Sequence, residues 1–337
     1  MTRTTMTRTL SIIAAVAFAV VGLVGGAEAQ VTVLKFAHQN NPGHPIAAAA
    51  DKFKELVESR SDGKVKITVF PSSQLGGMND LWNGVKLGSV EISGTIVLAM
   101  ADDLVPELGI YDAPYLFEDV DHFQKVAYGP IGQKMNAELL EKGGVRILYL
   151  QYFGSRHLTN NKPIYKPDDV KGMKIRAPAV PSLMAPVEGM GAIPTPMPLM
   201  DVYQALQTGL VDGQENPVTT IYSNRFHEVQ KYVMLTGHVF GIVGTLINES
   251  VFQKLPADMQ KVLLEAGEEA GKYGDAVTVQ QEVEMVDKLK AYGTEIIGPE
   301  NGLDLEAFRT QIRAYAYKKF EDKWPQELID GILALAK

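Results

Sequence analysis

The chain has 337 residues, no cysteine, a formal net charge of −8, and 46% hydrophobic against 21% charged residues. That length implies two domains, because single cores stop growing near about 250–300 residues, and the composition is that of a folded globular protein. The acidic balance without a basic run excludes a general nucleic-acid binder, and the missing cysteines exclude disulfides, thiolate zinc sites, iron–sulfur clusters and a cysteine nucleophile.

Residues 1–29 read as a cleaved secretory leader. Arg3 and Arg8 precede an apolar run over 12–24, and Ala27-Glu28-Ala29 supplies the small-x-small cleavage site. The run is shorter than the roughly 20 residues of a transmembrane span. The mature protein is expected to start near Gln30, to be soluble in a bacterial periplasm, and to be a monomer.

A strand is predicted over 31–37, a polar turn over 38–44, and a helix entered at Pro45 with Ile46, Ala50, Phe53, Leu56 and Val57 on one face. Val65, Ile67 and Val69 alternate with polar residues as a half-buried strand does. Strand, helix and strand in succession open an α/β domain with mostly parallel pairing. A helix over 79–87, a strand over 90–97, a helix over 121–140 and a buried strand over 145–150 follow. Residues 178–198 carry six prolines around a short helical piece, which excludes a long helix or a central strand there. A helix is predicted over 200–209. Residues 256–292 keep a 3–4 apolar spacing and end at Gly293, which predicts one helix of about 55 Å. A helix that long should lie across both domains, with Gly267, Gly271 and Gly274 read as a bend.

Catalytic signatures are missing. No G-x-S-x-G, S-x-x-K, H-E-x-x-H, P-loop or EF-hand pattern occurs. Gly189-Met190-Gly191 opens like a dinucleotide fingerprint, but Ala192-Ile193-Pro194 lacks the third glycine. The histidines show no ligand spacing on one helix, so neither a metal nor a cofactor is expected. An enzyme acting on a small acid would need a general base, which only the histidines and scattered carboxylates offer.

Three local features are more specific: Gly154-Ser155-Arg156-His157 after a buried strand, Gly172-Met173-Lys174-Ile175-Arg176-Ala177-Pro178, and Asp212-Gly213-Gln214-Glu215-Asn216-Pro217. Ligands of open α/β sheets sit outside the carboxyl ends of strands, where Arg156, Arg176 and Asn216 are expected to fall. An arginine fork matches a carboxylate with two charge-assisted hydrogen bonds. Each residue also has a structural reading. Arg176 would pair with Asp168 or Asp169 at a surface, Arg156 would serve the structure and not the ligand, and Asn216 would cap a turn. His38 and Gln39 leave the first strand and are candidate ligand contacts, whereas His44 more naturally starts the helix. Phe153 and Tyr222 are candidate apolar walls.

These motifs resemble the extracytoplasmic substrate-binding proteins of TRAP transporters, the DctP type. The resemblance runs through Phe70-Pro71-Ser72-Ser73-Gln74-Leu75-Gly76, the Lys-Ile-Arg segment, Tyr203-Gln204-Ala205-Leu206-Gln207-Thr208-Gly209 and the Gln-Glu-Asn-Pro segment, over essentially the whole mature chain. It implies a two-lobed α/β periplasmic-binding-protein fold with a hinge and a long helix spanning both lobes. Lobe one would hold residues 30–153 plus about 242–281, and lobe two 154–241 plus about 282–337. It implies capture of an organic acid, with Arg176 in a salt bridge to the carboxylate and Asn216 and Arg156 beside it, and delivery to membrane permease subunits. One departure concerns the ligand. Sugar-acid-binding members place an acidic residue in the first lobe where this chain reads Gly94-Thr95-Ile96-Val97-Leu98, which argues against a polyhydroxylated ligand. The expected ligand is therefore a C4-dicarboxylate or another small keto or hydroxy acid. An aromatic acid is the alternative, as is presentation of the ligand to a membrane sensor.

Overall fold

The first strand pairs as its alternation requires. β1 (Thr32–His38) is followed by helix α1 (Pro45–Arg60), and β2 (Val65–Phe70) returns parallel to β1. Helix α2 (Met78–Leu87) then leads into β3 (Ile92–Thr95), also parallel to β1. The structure is a computed structural model and describes residues 31–95 and 97–336. The leader expected over 1–29 and the side chains of 95–99 lie outside the described residues.

The helix predicted over 121–140 is two helices, α3 (Val120–Tyr128) and α4 (Pro130–Gly143). Pro130 has no N–H to continue the first helix, and Gly129 takes the extended backbone of an N-cap for the second. β4 (Val145–Asn160) runs ten residues past its predicted end, so Gly154-Ser155-Arg156-His157 lies inside a strand and not beyond one. The proline-rich stretch surrounds β5 (Lys174–Ala177), the short α5 (Pro181–Gly189) and β6 (Ile193–Pro196), which closes the sheet as an edge strand where prolines are tolerated.

After α6 (Val202–Gln207), β7 (Gly213–Asn216) and α7 (Val218–Ser223) comes β8 (Tyr232–Asn248), a 17-residue strand with no signal in the sequence pattern. Its residues are buried on both faces, so the polar alternation that marks a half-exposed strand is absent. Helices α8 (Glu249–Gln253) and α9 (Ala257–Tyr292), strand β9 (Glu295–Ile297) and helices α10 (Leu305–Lys319) and α11 (Gln326–Leu333) complete the chain.

All nine strands join one sheet of order β2-β1-β3-β8-β4-β7-β5-β6, with β9 on the free flank of β8. The opening strands pair in parallel as expected, whereas β8 runs antiparallel to both β3 and β4, and β4 antiparallel to β7, so the sheet as a whole is mixed. The long β4 and β8 thus carry β1–β3 at one end and β5–β7 at the other. α9 is a single 36-residue helix closed by Gly293 in the left-handed conformation. Met259, Leu263, Ala266 and Ala270 pack with α1 and β1, whereas Met285 and Leu289 pack with α6 and α7. Gly267, Gly271 and Gly274 do not interrupt it. A Cβ at Gly267 or Gly271 would stand 2.8 or 2.9 Å from the carbonyl oxygens of Leu148 and Leu150, so these glycines let the helix lie directly on β4.

Candidate functional site

Between the two ends of the sheet opens a cleft of about 330 Å³. Gln39, Phe153, Arg156, Arg176 and Asn216 line it, together with the first turn of α2 from Gly77 to Asp80. Different elements bring them there: Gln39 follows β1, Phe153 and Arg156 stand on β4, Arg176 on β5, and Asn216 ends β7. His157 on β4 lies opposite Asn216, and Arg176 on β5 lies opposite Gln214, so sheet register puts the two arginines and the asparagine side by side.

The two arginines are differently employed. Arg156 is 1% exposed and forms a two-pronged pair with Glu215, Nε to Oε2 at 2.5 Å and Nη2 to Oε1 at 2.6 Å. Burial pushes the Glu215 carboxyl up, but Arg156 and then His238 more than offset it and hold it below the usual range. Arg176 has no carboxylate partner among the described residues. Its Nε and Nη2 donate to the Met197 carbonyl at 3.1 and 2.7 Å, and its Nη1 is buried with no partner. Burial pulls its pKa down to about 9, which leaves it charged at neutral pH. The surface pairing with Asp169 does not form, because that carboxylate accepts from the Tyr165 and Lys166 amides. Asn216 Nδ2 donates to Gln214 Oε1 at 2.6 Å, which fixes the amide's orientation at the cleft wall.

Two expected contacts are elsewhere. His38 is fully buried beneath the cleft, edge-on to Phe36, and does not line it. Burial draws its pKa down to about 4, so the ring is neutral at pH 7. Tyr222 stacks on the His227 ring at 5.0 Å in the cluster shared with α9, because an aromatic on the inner face of a short helix is core before it is pocket. His44 starts α1 as expected, its Nδ1 accepting from the Ile46 amide at 3.2 Å while Nε2 meets Thr220 Oγ1 at 3.2 Å. Gly94 faces Phe36 and Thr245 and is no part of the cleft. The acidic residue on that side is Asp80, whose Oδ2 accepts from the Gly77 amide at 2.9 Å and occupies the positive end of α2. The paired glycines 76 and 77 before a helical run were its sequence signal. Among the described residues no group of three or more His, Asp or Glu side chains is placed to hold a metal ion, and no helix is long and apolar enough to cross a membrane.

Residues 36–323 match the sequence profile of the bacterial extracellular solute-binding proteins, family 7, the DctP family. The chain belongs to this family. It is similar to the 2,3-diketo-L-gulonate-binding periplasmic protein of Escherichia coli, 33% identical over 296 residues, 87% of this chain and 88% of that one. A TRAP periplasmic solute-binding protein of Roseobacter denitrificans, solved with bound L-galactonate, has a TM-score of 0.84 at 32% identity, covering 90% of this chain and 99% of its own. Another from Shewanella oneidensis, solved with bound succinate, has a TM-score of 0.84 at 29% identity, covering 91% of this chain and 100% of its own. The two-lobed α/β fold with a long helix across both lobes is therefore the TRAP receptor fold, and members of the DctP family are extracytoplasmic receptors and not enzymes.

One buried carboxyl of this DctP protein, Asp112, forms no ion pair among the described residues. Asp112 accepts from Ser182 Oγ at 2.9 Å, and burial pushes its carboxyl up to about 7, only partly opposed by Ser182 and by Arg156. A carboxyl whose folded pKa lies above its unfolded value of 3.8 loses folding stability as pH rises from about 4 to about 7. Asp112→Asn keeps an acceptor for Ser182 and removes the buried charge. It should raise stability at pH 8 by on the order of 2–4 kcal/mol, with the gain shrinking to nothing near pH 4. Calorimetric melting at the two pH values checks this, and an equal gain at both would contradict it.

Proposed function

We propose that the protein is the exported receptor of a TRAP transporter, released from its leader near Gln30, and that it captures a small hydroxy or keto acid with one carboxylate and delivers it to membrane permease subunits. The single observation carrying the reading is the buried, unpartnered Nη1 of Arg176 on the wall of the cleft. A cation held out of water without a counter-ion is costly, and an incoming carboxylate supplies both the charge and the hydrogen-bond acceptor. Arg156 is already neutralised by Glu215, so Arg176 is the one free anchor for an anion among these two. Asn216 then orients the carboxylate.

The opposite wall favours hydroxyl or keto groups over a second carboxylate. Gln39, Asn40, Asn79 and Asp80 stand there, and the Asp80 carboxylate already satisfies the helix end that would otherwise attract an anion. The boundary of the lobes at 153/154 and 241/242 is supported by β4 and β8, whose register slips between Tyr152, opposite Ile242, and Gly154, opposite Gly241.

A thermal-shift screen of the purified exported protein tests the reading. The panel holds aldonates and small hydroxy acids, C4-dicarboxylates, aromatic acids and neutral sugars. A ligand that binds only the folded state stabilises it by about 2.7 kcal/mol at a hundredfold excess over Kd. Hydroxy or keto monoacids should give the largest shift. A larger response to succinate would transfer the assignment to dicarboxylates, and a response to neutral sugars alone would overturn the role of Arg176.

A further inference from the structure

Strand β4 is bent where it passes the cleft. Its register against β8 slips between Ile147 and Tyr149, between Tyr152 and Gly154, and between Arg156 and Leu158. At the middle slip Gly154 takes φ +113°, and a Cβ there would stand 2.8 Å from Pro217 Cβ, so the bend accepts glycine alone. Such irregularities re-aim the side chains beside them. Phe153 precedes Gly154 and Arg156 stands two residues beyond it, where the third slip begins, and both line the cleft.

Helix α9 grips the bend with one face. The Tyr152 amide donates to Asp275 Oδ1 at 2.7 Å, and the Ser155 amide donates to Glu282 Oε1 at 2.8 Å. Thr278 Oγ1 donates to the Tyr152 carbonyl at 2.9 Å, and the Tyr152 hydroxyl donates to Glu282 Oε2 at 3.0 Å. Asp275, Thr278 and Glu282 are three and four residues apart, the spacing of neighbours on one helix face. Burial pushes both carboxyls up, Asp275 to about 6, and what opposes it is hydrogen bonding and no cation. Gln124 Nε2 completes the shell of Asp275 at 2.6 Å. A buried carboxylate and a part-buried one spent on holding strand backbone are poor sources of stability, since burial costs the charged form more than it costs a neutral acceptor. Their geometric effect is specific, because α9 is anchored at one end on the α1 cluster and at the other on the α6–α7 cluster.

We propose that Asp275 and Glu282 are positioning residues for the cleft, holding the bend of β4 against α9 so that Phe153 and Arg156 point at the ligand. The inference rests on the cleft being the carboxylate site. Glu282→Ala and Asp275→Ala should each weaken binding of L-galactonate or succinate, whichever the parent binds, by roughly tenfold or more in calorimetric titration well below the melting temperature. Glu282→Gln and Asp275→Asn, which keep an acceptor for the amides, should recover most of that loss. In the ligand-free protein the NMR signal of Arg156 Nε–H should move or broaden in the alanine variants and return in the amide variants. A purely stabilising role would lower the melting temperature and leave affinity and this signal at parental values, and that result overturns the proposal. Tyr152→Phe keeps the ring stacked on Phe240 at 4.1 Å and deletes the hydroxyl bridge to Glu282, so it decides the matter if the alanine variants do not fold. A loss of threefold or more, roughly, is expected from it, and a parental Kd overturns the proposal. A parent that binds no acid at all would overturn the carboxylate reading instead, while the Arg156 signal would still decide this one.

Discussion

Arg176→Ala is expected to abolish the ligand-induced thermal shift and to weaken acid binding by at least about a hundredfold. Two charge-assisted hydrogen bonds at roughly 1.5–3 kcal/mol each set that scale, at about 1.4 kcal/mol per tenfold. Arg176→Lys should recover only part of it, since a compact ammonium cannot present the planar fork. A second consequence separates a binding arginine from a structural one. In the unliganded protein Arg176 carries a buried charge with no carboxylate partner, and only the Met197 carbonyl receives its hydrogen bonds. Removing an uncompensated buried charge relieves a folding cost. Arg176→Met, which keeps the apolar stem, should therefore melt at or above the parent's temperature without ligand and below it at saturating ligand. If Arg176 were structural, the variant would melt lower in both conditions. Paired melting curves with and without the acid give the answer.

Legibility from sequence followed local chemistry and stopped where partners are distant in the chain. The Pro45 helix start, the alternation in β2 and the Gly293 cap of α9 were all readable, because each depends on residues within a few positions. β8 was not, since a strand buried on both faces carries no alternation. The same limit explains the histidine and tyrosine assignments. Whether His38 faces a cleft or a core is decided by how β1 packs, which sets it edge-on to Phe36, and Tyr222 is captured by His227 and Lys288. The motif residues Arg176 and Asn216 came to the cleft wall, but the difference between the two arginines was illegible. Arg156 and Glu215 are 59 positions apart, and their pairing exists only through the register of β4 with β7. Asp80 was missed for the opposite reason. It lies in a polar turn-and-helix start that looks like any solvated cap, and its role comes from the cleft it happens to face.

Glu215→Ala is expected to be the most destabilising single change in the site. The side chains of Arg156 and Glu215 are each 1% exposed, and the carboxylate also meets His238 Nε2 at 3.1 Å. With Nε2 protonated, His238 donates to Glu215 while its Nδ1 accepts from Thr236 Oγ1 at 2.8 Å, so one carboxylate organises a chain of three buried partners. Breaking a buried pair strands the remaining charge and costs about 3–5 kcal/mol, more than the pair itself contributes relative to an apolar replacement. The double variant Glu215→Leu with Arg156→Met should accordingly recover a large part of the loss in denaturant melts, although binding stays impaired. The pH dependence follows from the depressed carboxyl. Because the folded pKa of Glu215 lies below its unfolded value of 4.5, its stabilisation is fully present above about pH 4.5 and fades as pH falls through the folded value. The gap between the parent and Glu215→Gln should thus stay constant from pH 8 to pH 5 and narrow under more acidic conditions. A gap that widened with acid would mean that Glu215 is protonated in the folded protein, and that Arg156, like Arg176, is an open anion anchor awaiting a second carboxylate.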